Sequence, residues 1–163
     1  MENNNKIAII GGGQTAIYAA KEIRDHDQNC LITIYSEENE IPYEKPPLSK
    51  QYLKGEKNFE DIIFFSKEFL TEKKIDIKTN SKIKFIDLEK KEVETEDNIK
   101  YSYDKLLLAN GAINRKIDIE ELKNDKDIIY LRNIKECELL KSKINSSKNI
   151  LIIGGGFIGL EVA

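Results

Sequence analysis

Apolar and polar positions switch between two periods along the chain, and the switches mark out the elements. Residues 7–10, Ile-Ala-Ile-Ile, form a short continuous apolar run of the kind expected of a strand buried on both faces. Glycines 11–13 end it. From 15 to 24 the apolar residues take helical spacing, with Ala16, Ala19, Ala20 and Ile23 on one face. Residues 31–35 return to a β-branched apolar run, which completes a strand–helix–strand unit within about thirty residues, the length such a unit needs.

All three prolines fall within 41–50, and proline lacks the ladder donor of an interior strand, so this stretch is expected to be a rigid loop. Residues 64–73 read as a helix and 75–78 as a brief strand that closes a parallel sheet. Segments 82–88, 91–96 and 99–103 alternate apolar and polar positions between charged turns, which predicts a small antiparallel meander with a Lys/Glu-rich wet face. Leu106-Leu107-Leu108 is a buried-strand run that ends in Ala109-Asn110-Gly111. The chain is then loop-like as far as 128–131, and 134–144 is helical, with Leu139, Leu140 and Ile144 on its stripe. Residues 149–153 read as another strand, 154–156 as another triple-glycine turn, and a second helix opens at Phe157.

Composition narrows what such a chain can do. At 163 residues with 40% hydrophobic and 34% charged content it is long enough to bury a core beneath a very polar surface. The net charge of −3 comes from interspersed acids and bases without a basic block, which excludes the electrostatic footprint of a nucleic-acid binder. Cys30 and Cys137 fit no metal-ligand or CxxC spacing and read as free structural thiols in a reducing compartment. The polar start lacks a signal-peptide core, so the cytoplasm is the expected location. The apolar stretch 150–163 is too short for a membrane span and contains Glu161. His26, at the polar end of the first helix, reads as solvated, and no Ser/His/Asp set or His/Cys metal cluster stands out.

The chemistry lies in the glycines. Gly11-x-Gly13-x-x-Ala16, after a strand and opening a helix, has the form of a dinucleotide fingerprint. In that device the first glycine permits the tight turn, the second admits a pyrophosphate to the backbone, and the third small residue lets helix and strand pack. Such a turn alone is equally read as a joint between strand and helix. Glu37, just past the second strand and roughly twenty residues on, favours the nucleotide, because an acid there accepts hydrogen bonds from an adenosine ribose; Glu38 is the alternative. Gly154-x-Gly156-x-x-Gly159 repeats the device with three glycines. Two fingerprints imply two dinucleotides, and the simplest enzyme that uses both moves a hydride between nicotinamide and flavin.

The segment Ile41-Pro42-Tyr43-Glu44-Lys45-Pro46-Pro47-Leu48-Ser49-Lys50 resembles the PYxRPPLSK element of the ferredoxin reductase-like flavoproteins, the group that includes apoptosis-inducing factor. The likeness runs from Lys6 to Ala163 and takes in the ANG segment at 109–111 and GGGFIGLEVA at 154–163. The resemblance implies an α/β fold: a Rossmann-like FAD-binding domain with a parallel sheet and a small antiparallel β-meander over 1–112, and the first part of a second, NAD(P)-binding Rossmann-like domain over 113–163. It implies that Gly11, Gly13, Gln14 and Ala16 take the FAD pyrophosphate and that Glu37 takes the ribose. Lys45 stands where the family has a phosphate-binding arginine; the charge is kept and the bidentate fork lost. Lys50 would lie beside the flavin ring, Ile83 would border the adenine, and Ala109 and Gly111 would approach the cofactor from another strand. Gly154, Gly156 and Gly159 would receive NAD(P)H, and Glu161 would face the nicotinamide amide and pair with Lys50.

Pro46-Pro47 occupies the place of the redox cysteine of disulfide reductases, so the resemblance implies a small iron-sulfur carrier, ferredoxin- or rubredoxin-like, as electron acceptor. An NADH oxidase or flavin reductase without a protein acceptor, and a non-catalytic FAD-binding redox sensor, are the alternatives. Family members continue beyond the point matching Ala163, so the chain is expected to be incomplete, inactive alone, and exposed along its last strand and half helix.

Overall fold

The computed structural model describes residues 4–122 and 125–163, which form two compact units. The first comprises 1–43 and 63–111, and the second 44–62 and 112–163.

In chain order the first unit contains β1 (Lys6–Ile10), α1 (Gln14–His26), β2 (Leu31–Tyr35), α2 (Lys67–Glu72), β3 (Ile75–Lys78), β4 (Ile83–Asp87), β5 (Glu92–Thr95), β6 (Lys100–Ser102) and β7 (Lys105–Leu108). Four strands make a parallel sheet in the order β3-β2-β1-β7, and β4-β5-β6 make the antiparallel meander. β1 is central and buried on both faces, as its unbroken apolar run requires. Ile7 and Ile9 point into one core with Ile17 and Ala20 of α1, Ile32 and Ile34 of β2, and Leu70 and Ile75. Ala8, between them, points the other way and joins Tyr35, Val93 and Tyr103. Fully burying a side chain such as Ile9 or Ile34 contributes about 1.5–3 kcal/mol.

Two local devices fix the ends of the helices. Ser66 caps α2 by accepting from the Phe69 amide, so the helix is shorter than the expected 64–73. Phe64 and Phe65 precede that cap in a bend, with the Phe64 amide donating to Pro42 O and both rings edge-on to Tyr18. Arg24, near the end of α1, is buried, and its guanidinium donates to the carbonyls of Lys73, Lys74, Asp27 and Cys30 at 2.7–3.1 Å. One side chain thereby ties the helix end to two turns. The meander's wet face carries ion pairs, Lys84–Glu94 at 2.7 Å and Lys82–Glu96 at 2.8 Å, each worth at most about 1 kcal/mol.

The second unit contains a 3-10 turn at Pro46–Ser49, another at Glu120–Leu122, α3 (Ile134–Ser146) and α4 (Phe157–Val162). Asn133 and Glu136 form a reciprocal capping box that sets the start of α3. The buried Cys137 of α3 donates its thiol to Leu48 O at 3.1 Å, which pins the proline turn to the helix. The Lys141 ammonium lies over the Tyr52 ring at 5.1 Å.

One expectation fails here. Residues 149–153 are not a strand: they are unpaired, with Leu151 85% and Ile153 68% exposed. A strand is stabilised by its neighbours, and among the described residues none lies beside this run to complete a ladder.

Candidate functional sites in the two units

The first glycine turn leaves the carboxyl end of β1 where the strand order reverses, β2 on one side and β7 on the other. In open α/β sheets this switch point is where ligands bind. Gly11 takes φ +115°, and a Cβ there would stand 2.1 Å from Ala109 O. Its amide donates to Tyr35 O at 2.9 Å, while the Ala109 amide donates to Ile10 O at 2.8 Å. Only glycine fits a turn clamped between two strand ends at that dihedral. Gly12 is closed in by Ser36, whose Oγ would lie 2.3 Å from an added Cβ.

Gly13 differs from both. It is the N-cap residue of α1, and a Cβ added there would meet nothing within 4 Å. No side chain caps α1 and no acid lies in its first turn, so the helix presents amide N–H groups and a positive end to open space. Those are the requirements of a phosphate cradle, and the residues present fit a dinucleotide pyrophosphate. Ala16 is fully buried at the helix–strand contact, whereas Gln14 is exposed beside the turn. Gly111, at φ +64°, is exposed beyond β7, and Ile83 is half-buried against the core of the meander side.

The two acids after β2 separate cleanly. Glu38 accepts from the Tyr43 hydroxyl at 2.5 Å, and its amide donates to Ser36 Oγ. Glu37 is exposed. The buried Ser36 organises the turn, with its amide on Lys78 O and its carbonyl receiving the Ser81 amide. Sequence reading had no signal for Ser36 beyond its place between a strand and two acids.

In the second unit the proline turn carries the other candidates. Lys45 is half-buried at the N-cap of that turn. Lys50 follows the turn and meets Glu161 of α4, Nζ to Oε2 at 2.8 Å, as the sequence reading expects. Ser49, which that reading passed over, is buried and donates to the same oxygen at 2.5 Å. Hydrogen bonds from Lys50 and then Ser49 hold the Glu161 carboxyl below the usual range. The second glycine turn has Gly154 at φ +113° and Gly156 as the N-cap of α4. A Cβ on Gly159 would come 2.3 Å from Gly154 O, so the third glycine is sterically required here.

Neither thiol is poised for chemistry. Burial pushes Cys137 up to about 11 and raises Cys30 as well. His26 is exposed and pairs with Glu22. Among the described residues no helix is long and apolar enough to cross a membrane.

Comparison with known proteins agrees with this geometry. The family model described as pyridine nucleotide-disulphide oxidoreductase matches residues 5–163. The chain is 36% identical over 159 residues to the rubredoxin-NAD(+) reductase of Pseudomonas putida, covering 96% of this chain and 40% of that protein. To the rhodocoxin reductase of Rhodococcus erythropolis it is 36% identical over 157 residues, covering 96% and 36%. Among solved structures, the covalent putidaredoxin reductase–putidaredoxin complex superposes with a TM-score of 0.90 at 26% identity, over 98% of this chain and 39% of that one. The chain thus spans about two-fifths of the length of the relatives it matches. With the glycine cradle at the sheet's switch point and a family match over nearly every residue, the chain belongs to the pyridine nucleotide-disulphide oxidoreductase family.

Proposed function

We propose that the whole protein is an FAD-dependent NAD(P)H oxidoreductase that passes electrons to a small iron-sulfur carrier of the ferredoxin or rubredoxin kind, with 1–112 forming the FAD-binding domain and 113–163 the start of the NAD(P)-binding domain. The observation that carries the reading is the open α1 N-terminus at Gly13, set at the sheet's switch point with an exposed acid just past the next strand. Gly11, Gly13, Gln14 and Ala16 bind the pyrophosphate, and Glu37 rather than Glu38 accepts the ribose hydroxyls, since Glu38 already serves Tyr43. Ile83 borders the adenine, and Ala109 and Gly111 line the cofactor from the β7 side. Lys45 contributes positive charge to the phosphates. Lys50 orients the flavin, while Glu161 accepts from the nicotinamide amide above the turn formed by Gly154, Gly156 and Gly159. FAD, when bound, supplies the conversion between a two-electron donor and a one-electron acceptor.

The rubredoxin and putidaredoxin named for the relatives support the choice of acceptor. So do the proline pair at 46–47, where a dithiol mechanism would need a cysteine, and the buried, unreactive state of both thiols. The test is an absorbance spectrum of the purified chain before and after incubation with FAD and desalting, repeated on the full-length protein. Flavin bands that survive in either form support the assignment. A full-length protein that stays colourless with FAD overturns it.

A further inference from the structure

Glu161 is held by two unlike donors. Lys50 and Glu161 are both part-exposed, with side chains 42% and 28% accessible, and such an ion pair fixes little by itself because water and salt screen it. Ser49 is different: it is 5% exposed, carried on a turn whose Leu48 carbonyl is anchored to Cys137, and has a single proton to give. Two acceptors lie within reach, Glu161 Oε2 at 2.5 Å and Pro46 O at 3.4 Å. The shorter, charge-assisted bond takes the proton. Both donors therefore converge on Oε2, and among the described residues no hydrogen bond falls on Oε1 of this acceptor-only carboxylate.

We propose that Ser49 is a positioning residue for Glu161: its buried hydroxyl locks the carboxylate through Oε2, so that Oε1 is held in place to accept from a ligand that offers a donor such as an amide N–H. The ligand consequence rests on the reading of Glu161 as the acceptor for the nicotinamide amide. On that reading Ser49 underlies a preference for a carboxamide-bearing dinucleotide over its carboxylate analogue, which brings like charge and no donor.

The test is a carbon-13 carboxyl titration of Glu161 in the full chain and in Ser49→Ala, Ser49→Cys and Ser49→Thr, at low and high salt, with amide spectra to establish the fold. Ser49→Ala is expected to raise the Glu161 midpoint and make it salt-sensitive, since only Lys50 then holds it. Ser49→Cys, with a weak donor of similar size, should move it less, and Ser49→Thr should restore it. A folded Ser49→Ala or Ser49→Cys protein with an unmoved, salt-insensitive midpoint overturns the proposal. Dissociation constants of NAD+ and nicotinic acid adenine dinucleotide are measured on the same variants of the full-length protein. A parent preference for the amide that falls roughly two- to tenfold in Ser49→Ala extends the positioning to ligand choice. A moved midpoint with no amide preference in the parent leaves the positioning standing and overturns the nicotinamide role of Glu161.

Discussion

The two triple-glycine turns have nearly the same backbone and very different surroundings. Gly11 and Gly154 sit at φ +115° and +113°, and Gly13 and Gly156 are both extended N-cap residues of a helix. The first turn, however, follows a strand flanked on both sides, and added methyl groups at Gly11 and Gly12 would strike Ala109 and Ser36. The second follows an unpaired run, and additions at Gly154, Gly155 and Gly156 would meet nothing. Local sequence dictates the conformation of such a turn, and whether it is clamped depends on strands contributed from far along the chain.

Hydrogen exchange is the sharpest way to test that contrast. Amides of 7–10 should exchange slower than those of 150–153 by roughly three orders of magnitude or more, the span between global opening and free fraying. Equal rates would remove the distinction.

Matched alanines come next. Gly11→Ala places a methyl 2.1 Å from a carbonyl at a positive φ and should cost about 2–4 kcal/mol in urea unfolding. Gly154→Ala bears only the dihedral penalty, about 1 kcal/mol. Valine at the N-caps separates fold from ligand, because a Cβ at Gly13 or Gly156 meets nothing within 4 Å. Gly13→Val should lower the melting temperature only by the modest cost of a poorer N-cap and abolish flavin retention, whereas Gly156→Val should leave retention intact. Glu37→Ala should weaken FAD by about 1–3 kcal/mol, read as a dissociation constant, with stability unchanged.

The smallest expected effect is one of pH. Hydrogen bonds from Lys21 and then Lys73 lower the Asp25 carboxyl to about 2. A depressed carboxyl stabilises above its unfolded value of 3.8, and that contribution fades as pH falls toward about 2. Asp25→Asn should therefore lower the melting temperature slightly at neutral pH, and the difference from the parent should vanish as pH falls through that window toward about 2.

Most of the first unit is legible in the sequence because its signals are local: an apolar run, a glycine turn, a helical stripe and a proline-bounded loop each read within a few residues. The failure at 149–153 has the opposite origin, for an apolar β-branched run shows what a strand could be and not whether a partner will lie beside it. The shortened α2 turned on one serine, since Ser66 caps the helix after Phe64 and Phe65 have already turned to Tyr18. At the candidate sites, motif spacing pointed to the glycines, and family likeness to the Lys50–Glu161 pair. Ser49 and Ser36 escaped because a serine hydroxyl has meaning only when its acceptor is known, and for Ser49 that acceptor is 112 residues away.

Arg24 has a consequence for mutational tolerance. Its guanidinium bonds to four main-chain carbonyls and to no carboxylate, with the buried Cys30 thiol at 3.7 Å as its one side-chain partner, so the atoms it needs are present whatever side chains stand at 73 and 74. In a saturation library the charge of those neighbours can drift freely while position 24 cannot follow. Lysine, a point donor without a planar fork, would leave buried carbonyls unanswered in two turns at once. A residue that recognises mainly backbone is fixed in identity and largely indifferent to the side chains around it.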